Sequence, residues 1–394
     1  MNILVLSSKS PYPLKDGHSL RTYNLFKQVS RKNNIFFLTY FASKEEEDNF
    51  TEIEKICKMA LGFKLPVANS RFLLIWALVK NLFSPLPFVC EKYRTKEMLD
   101  MIKKILNEEK IDLVHVDILP LMNYYGIIKK YPIVLNAHNV ESLLLKRRVS
   151  CTTNLLERLY LWIQYIKLYT FEKKQFLLAN CCAAVSQQDK EFLQKMSPNS
   201  PVHIIANGVD IDYFSYDGKN SETDALIYVG GFNWFPNLDG MNYFCEKILP
   251  IITGQIGYIQ TFVVGKEDKK FQYADKITPV GCVEDTRPYI NKAKIFIVPL
   301  RVGGGTRLKI LNAMAMGKAI VSTSIGCEGL DVQNGINIII EDKPERFAEA
   351  VVELLNNDKK RKLLGDNARK LVEEKYTWEE IGEKMNEIYS KLGQ

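Results

Sequence analysis

Along the chain, short apolar runs alternate with longer stretches whose apolar positions recur every three to four residues. Residues 2–7, 34–40, 111–117, 131–137 and 181–185 have the length and β-branched content of buried strands. Between them, 20–30, 50–61, 98–109 and 155–178 carry the helical period. The second half repeats the scheme, with strands expected at 225–229, 260–264, 276–280, 295–300 and 319–323. Amphipathic helices are expected at 345–356, entered through Pro344, and at 359–374 and 377–392. Strands that alternate with helices predict an α/β protein built on parallel sheets.

The most informative stretch is 295–330, IFIVPLRVGGGTRLKILNAMAMGKAIVSTSIGCEGL. A buried strand runs into Gly303, Gly304 and Gly305, followed by Thr306, Arg307 and Lys309 and then a helix expected to bury Leu308, Leu311 and Ala315. Glycines let successive N–H groups converge and remove the Cβ atoms that would hold a phosphate away. Arg307 and Lys309 have the wrong sign for a helix N-terminus, whose partial positive charge prefers anions. A bound anion that offsets this repulsion is the simplest explanation. A tight turn with two solvated cations is the plainer alternative, but composition, charge and position together favour the anion seat.

A length of 394 residues predicts two domains. The net charge of +7 is uneven: residues 1–200 hold 29 Lys and Arg against 19 Asp and Glu, the remainder 24 against 27. That split argues against nucleic acid as a partner and for a first half that meets an anionic substrate or surface. Eight cysteines show no CxxC spacing and read as free thiols. The opening MNILVLSSKS reads as a strand rather than a leader, and no apolar window reaches membrane-spanning length.

In the first half, candidate chemistry falls at strand ends, where open parallel sheets bind ligands. After the first strand, Gly17 and His18 follow a proline-punctuated loop. His115 and Asp117 close the third strand, and His138, Asn139 and Glu141 follow the next, with His138 the favoured functional residue of this half. The stretch 71–88, RFLLIWALVKNLFSPLPF, is apolar nearly all round and too short to span a bilayer. A core helix and an interfacial helix that touches membrane or lipid are both open, and the basic surroundings favour the second. The aromatic stripe of 155–178 reads as packing, with room for an acceptor lipid. Ser186 is expected to cap the helix that follows it, with Asp189 in its first turn. Asp210 and Asp212 mimic an Asp-x-Asp metal motif but lie in a loop segment, so no metal is expected.

Taken together, PYPLKDGHSLR, HNVE, AVSQQD, ANGVDIDYF and VGCVEDTRPYI…VPLRVGGGTRLKILNAMAMGKAIVSTSIGCEGL resemble the retaining glycosyltransferase family 4, in its GGGTRLK-type branch. The resemblance runs over nearly the whole chain. It implies a GT-B architecture: two Rossmann-like, doubly wound domains facing across a cleft, the last helix crossing back to the first domain. The implied divisions are 1–205 with 376–394 as the acceptor domain, and 206–375 as the sugar-nucleotide domain. Laid on the family pattern, the two usual carboxylates fall on Gly304 and Asn312 and are absent. The usual basic pair is missing from YVGGFNWFPNLDG, which leaves Arg307 and Lys309 to supply the diphosphate charge. Asn312 retains hydrogen-bonding capacity toward ribose, and Glu328 is a further candidate contact to the nucleotide. His138 matches the family histidine directed at the donor sugar, and Gly17 the loop glycine against the diphosphate.

The implied function is transfer of a sugar from a nucleotide-diphosphate sugar to a hydroxyl of a glycan or lipid-linked acceptor, with retention of configuration and no cofactor. Cell-surface polysaccharide assembly follows from family habit. The expected location is cytoplasmic, peripheral at the inner membrane face through 71–88. Competing readings are another GT-B enzyme, such as a sugar-nucleotide epimerase or a phosphorylase, and a non-catalytic sugar-nucleotide-binding or scaffold subunit.

Overall fold

The computed structural model describes all residues except 15, 66–70, 153, 216–221, 270, 272, 304–305 and 394, and the side chains of 71–74, 151 and 274. Gly304 and Gly305 therefore lie outside the described residues. The chain divides into two compact units, Met1–Ala206 with Ile381–Gln394, and Asn207–Glu380.

The first unit is a seven-stranded sheet in the order β3-β2-β1-β4-β5-β6-β7. Its strands are β1 (Asn2–Leu6), β2 (Asn34–Phe41), β3 (Met59–Lys64), β4 (Leu113–Val116), β5 (Ile133–Ala137), β6 (Cys181–Ala184) and β7 (Val202–Ile204). All neighbours pair parallel, as in β1 with β2 and with β4. β1 is wholly apolar beyond Asn2 and its Ile3 to Leu6 are fully buried, as a strand covered on both faces requires. One expectation fails here and one strand is unforeseen. The stretch 50–61 is not one helix: a single turn, Thr51–Glu54, is followed by β3, in which a Cβ on Gly62 would strike the Phe41 ring on β2. β7 escapes the sequence pattern, because a three-residue edge strand leaves almost no period to read.

The second unit is a six-stranded parallel sheet in the order β10-β9-β8-β11-β12-β13. Its members are β8 (Thr223–Val229), β9 (Gln260–Val264), β10 (Thr278–Gly281), β11 (Ala293–Val298), β12 (Ala319–Ser322) and β13 (Ile339–Ile340). Both sheets thus start in their middle, run outward to one edge, return and complete the other. The strand order reverses between β1 and β4 in the first and between β8 and β11 in the second. Loops on either side of such a reversal diverge and open a crevice at the carboxyl ends of the strands.

The last helix, Trp378–Leu392, leaves the second unit after Glu380 and ends in the first. There Tyr389 Oη lies 2.7 Å from Nδ1 of His115, both fully buried, and Lys32 pairs with Glu383. Among the described residues no helix is long and apolar enough to cross a membrane.

Candidate functional site

In the first unit, the reversal point gathers polar side chains around Asp117, which follows β4 and is fully buried. Its carboxylate accepts from Ser7 Oγ (3.2 Å), Thr22 Oγ1 (3.0 Å) and Asn136 Nδ2 (3.0 Å). Nε2 of His138 lies 3.0 Å from Asp117 Oδ1 and Nε2 of His18 3.2 Å from Oδ2. The two imidazoles stack with centroids 4.3 Å apart and planes 2° from parallel. Burial alone would raise the Asp117 carboxyl, but the charge of a protonated His138 and the histidine donors hold it well below the carboxylate range. Burial pushes His138 down to about 4, outweighing the attraction of Asp117, and His18 opposes its charge as well. A neutral His138 that donates from Nε2 to Asp117 keeps Nδ1 as an acceptor. Arg21, buried on the Gly17–Val29 helix, completes the hub by donating to Asn136 Oδ1 (3.2 Å) and to the carbonyls of Ile205 and Ala206 (2.7 Å each).

His18, Asp117 and His138 are also the group among the described residues whose ligand atoms, all within 4.8 Å, come within metal-binding reach. An imidazole binds an ion in its own ring plane at about 2 Å. Two stacked parallel planes cannot both contain one ion, so this arrangement offers hydrogen bonds rather than a joint ligand set. The Asp210–Asp212 segment is a turn in which Asp210 Oδ1 accepts from the backbone N–H of Asp212 and Tyr213.

In the second unit the reversal point is cationic. Lys309 sits in the first turn of the eight-residue helix Leu308–Ala315, and Arg307 is its N-cap residue rather than part of its first turn. Lys309 Nζ donates to Tyr228 Oη (2.9 Å) and Asn237 Oδ1 (3.0 Å) and lies 4.2 Å from the centre of the Tyr228 ring. Tyr228 Oη itself donates to Asn237 Oδ1 (2.7 Å), and Asn237 Nδ2 to the carbonyl of Gly231 (2.8 Å). These partners are neutral. Burial, followed by the repulsion of Arg307, therefore holds the Lys309 ammonium well below its ordinary pKa.

Two glycines make room for the cations. A Cβ on Gly303 would lie 1.9 Å from Arg307 Nη2, so the guanidinium packs onto bare backbone. Gly230, at φ +155°, would put a Cβ 2.6 Å from Lys309 Nζ.

The structure thus unites Gly303, Arg307 and Lys309. Asn312 is half-buried one turn beyond Lys309, Thr306 is half-buried just before the helix, and Glu328 lies in the turn that follows β12. Gly17 opens the Gly17–Val29 helix, capped by Asp16, next to His18. Leu308 is only half-buried; Ile310, Leu311 and Met314 form the core face of its helix. Sequence reasoning does not find Tyr228 or Asn237, since a tyrosine at the end of an apolar strand reads as core.

Two family models match the chain. Residues 223–357 match "Glycosyl transferases group 1" and residues 67–213 match "Glycosyltransferase Family 4". Each stretch of the chain that is matched is thus similar to a glycosyltransferase family model. An uncharacterised 44.6 kDa protein in the cps region of Klebsiella pneumoniae is 22% identical to this chain over 393 residues, covering 95% of this chain and 96% of its own. Sucrose-phosphate synthase from Thermosynechococcus elongatus superimposes with a TM-score of 0.71 at 16% identity, covering 100% of this chain and 99% of that one. Anabaena HepE in complex with UDP-glucose gives 0.66 at 14% identity and covers both chains fully. These likenesses and the two parallel-sheet units establish the GT-B fold.

Proposed function

We propose that this glycosyltransferase moves a sugar from a nucleotide-diphosphate sugar to a hydroxyl of a glycan or lipid-linked acceptor, with retention of configuration, in cell-surface polysaccharide assembly. The carrying observation is the pair of cations, Arg307 and Lys309, at the strand-order reversal of the second sheet, with only neutral partners described for Lys309. A diphosphate relieves the repulsion that depresses Lys309, and the same cations stabilise the charge that builds on the departing phosphate. Gly303, Gly304, Gly305, Thr306 and Gly17 are assigned to the diphosphate, and Asn312 and Glu328 to the nucleoside. His138 accepts a hydrogen bond from a hydroxyl of the donor sugar through Nδ1. No side-chain nucleophile is assigned: the acceptor hydroxyl bonds to the anomeric carbon on the face from which the phosphate departs, its proton passes to that phosphate, and entry on the same face keeps the configuration. A solved neighbour that holds UDP-glucose and a relative from a cps region support this reading. Exposed Ile75, Trp76 and Phe83 support a peripheral position at the inner membrane face.

Thermal-shift screening against UDP-, GDP- and ADP-sugars, followed by transfer assays with NMR of the anomeric product, tests the proposal. Arg307→Ala with Lys309→Ala is expected to lower turnover by at least ~100-fold while the protein stays folded; unchanged turnover refutes the role of the cations. The missing carboxylates at Gly304 and Asn312 favour one other reading, a sugar-nucleotide-binding subunit without activity. Tight nucleotide binding with no transfer across a broad acceptor panel would select it.

A further inference from the structure

The first unit contains a cavity of about 410 Å³ away from the Asp117 hub. Leu78, Pro87, Phe88, Leu145, Leu161 and Leu168 line it, contributed by the helices Arg71–Leu82, Phe88–Glu91, Glu141–Cys151 and Leu155–Leu178. Its volume is in the range of small-molecule sites, which run from about 300 to 1,000 Å³. Apolar walls do not hold ordered water, since a buried water needs two to four polar partners.

Four polar side chains interrupt the lining, Arg148, Glu157, Tyr160 and Gln164, the last of them bonded to the Phe88 N–H and to Asn81. The hydroxyl of Tyr160 is shielded from solvent and meets no partner among the described residues. At the mouth stands Arg148, about two-thirds exposed and 3.2 Å from Glu157. Lys146 and Arg147 precede it on the same helix but turn to other faces, so Arg148, with Glu157 beside it, is the cation that lines the mouth of a largely hydrocarbon interior. On the two helices that supply Leu78 and Leu161, Ile75, Trp76 and Val79 of the one and Leu159, Trp162 and Ile166 of the other are exposed.

The Glu141–Cys151 helix connects this cavity to the hub. Glu141, Leu145 and Arg148 fall at i, i+4 and i+7 and share one face. Glu141 borders the small pocket that His138 also lines, and Arg148 stands about 10 Å further along the axis at 1.5 Å per residue. We infer that the cavity seats the hydrocarbon chain of a phosphate-linked lipid acceptor, with its phosphate on Arg148 and its sugar end directed along the helix toward Glu141 and His138. The inference rests on the proposal that this unit handles the acceptor, and it narrows the acceptor to one chemical class.

The test is direct binding of farnesyl phosphate to the full chain, read by quenching of tryptophan fluorescence, with inorganic phosphate and farnesol as controls. Val89→Trp fills the cavity from a position at its rim, one-third exposed, and Arg148→Glu reverses the charge at the mouth. Farnesyl phosphate is expected to bind at micromolar concentration, Val89→Trp to abolish binding and Arg148→Glu to weaken it at least tenfold, with Tyr160→Phe weakening it less. Binding no tighter than that of inorganic phosphate, or equal binding by wild type and both rim variants, overturns the inference. UDP binding, measured on the same samples, separates the two readings: loss of UDP binding alone strikes the transferase proposal, while loss of farnesyl phosphate binding alone strikes the cavity.

Discussion

Lys309 joins the chemistry of the second unit to its stability. Its ammonium is buried, bonded to Tyr228 and Asn237, and repelled by Arg307. A lysine whose folded pKa lies below its unfolded value binds fewer protons when folded, so its contribution to stability improves as pH rises toward 10.5. An arriving diphosphate reverses the situation and favours the charged form. Nucleotide binding should therefore take up protons as pH rises toward 10.5, which calorimetry over a pH series in buffers of different ionisation enthalpy detects. Lys309→Met removes a buried charge and should leave the melting temperature of the nucleotide-free protein unchanged or higher. The same change should weaken UDP binding roughly 10- to 100-fold, as loss of a charge-assisted hydrogen bond of about 1.5–3 kcal/mol implies. His138, Arg307 and Lys309 are legible from charge and position alone. Asp117 is visible at a strand end, but its role depends on Ser7, Thr22 and the Asn136–His138 pair converging from three places in the chain, and no local pattern encodes that convergence.

Among the elements, the Glu141–Cys151 helix carries a titrating cap. Both oxygens of Glu172 accept from its first amides, Glu141 N–H at 2.9 Å and Ser142 N–H at 3.2 Å. Burial raises the Glu172 carboxyl to about 7 despite these bonds. Because the folded pKa exceeds the unfolded one, the associated stability is complete below about pH 4.5 and is lost as pH rises through 7. The swing is about 3 kcal/mol at 1.36 kcal/mol per pKa unit. Urea midpoints at pH 5 and pH 8 should differ in wild type, and Glu172→Gln should flatten that difference. Elements with a strong period are readable: the Leu155–Leu178 helix and β9 fall where the sequence puts them, and Ser186 caps the Gln187–Met196 helix through the N–H of Asp189. The failures share a cause. β3, β7 and β13 are short or glycine-containing edge or near-edge strands, specified by pairing with distant residues rather than by their own period.

For the whole molecule, the chain builds one unit, leaves it for the second, and returns with its last helix to finish the first. Tyr389 and His115 close that return 274 positions apart. Tyr389→Phe leaves Nδ1 of His115 without its partner and should cost about 1–3 kcal/mol, read from the unfolding midpoint of the first unit. Deleting the residues after Glu380 removes the buried Ile381, Met385 and Ile388 as well and should unfold that unit at 37 °C, while UDP binding by the second survives. Two doubly wound sheets are legible because strand and helix periods alternate twice along the chain. The strand order is not, because it is set by which parallel edges meet.

Just inside the two ends of the second unit, which runs Asn207–Glu380, Val209 and Thr377 form a parallel bridge, and Val209 N–H donates to the carbonyl of Tyr376 at 2.8 Å. Entry and exit are therefore stitched side by side, and the lobe is a loop with its neck tied. A protease that nicks one strand of the neck would leave the two fragments associated until denaturant is added. For the same reason, a lobe excised at this tie would carry adjoining ends, well suited to circular permutation or to grafting into a foreign host.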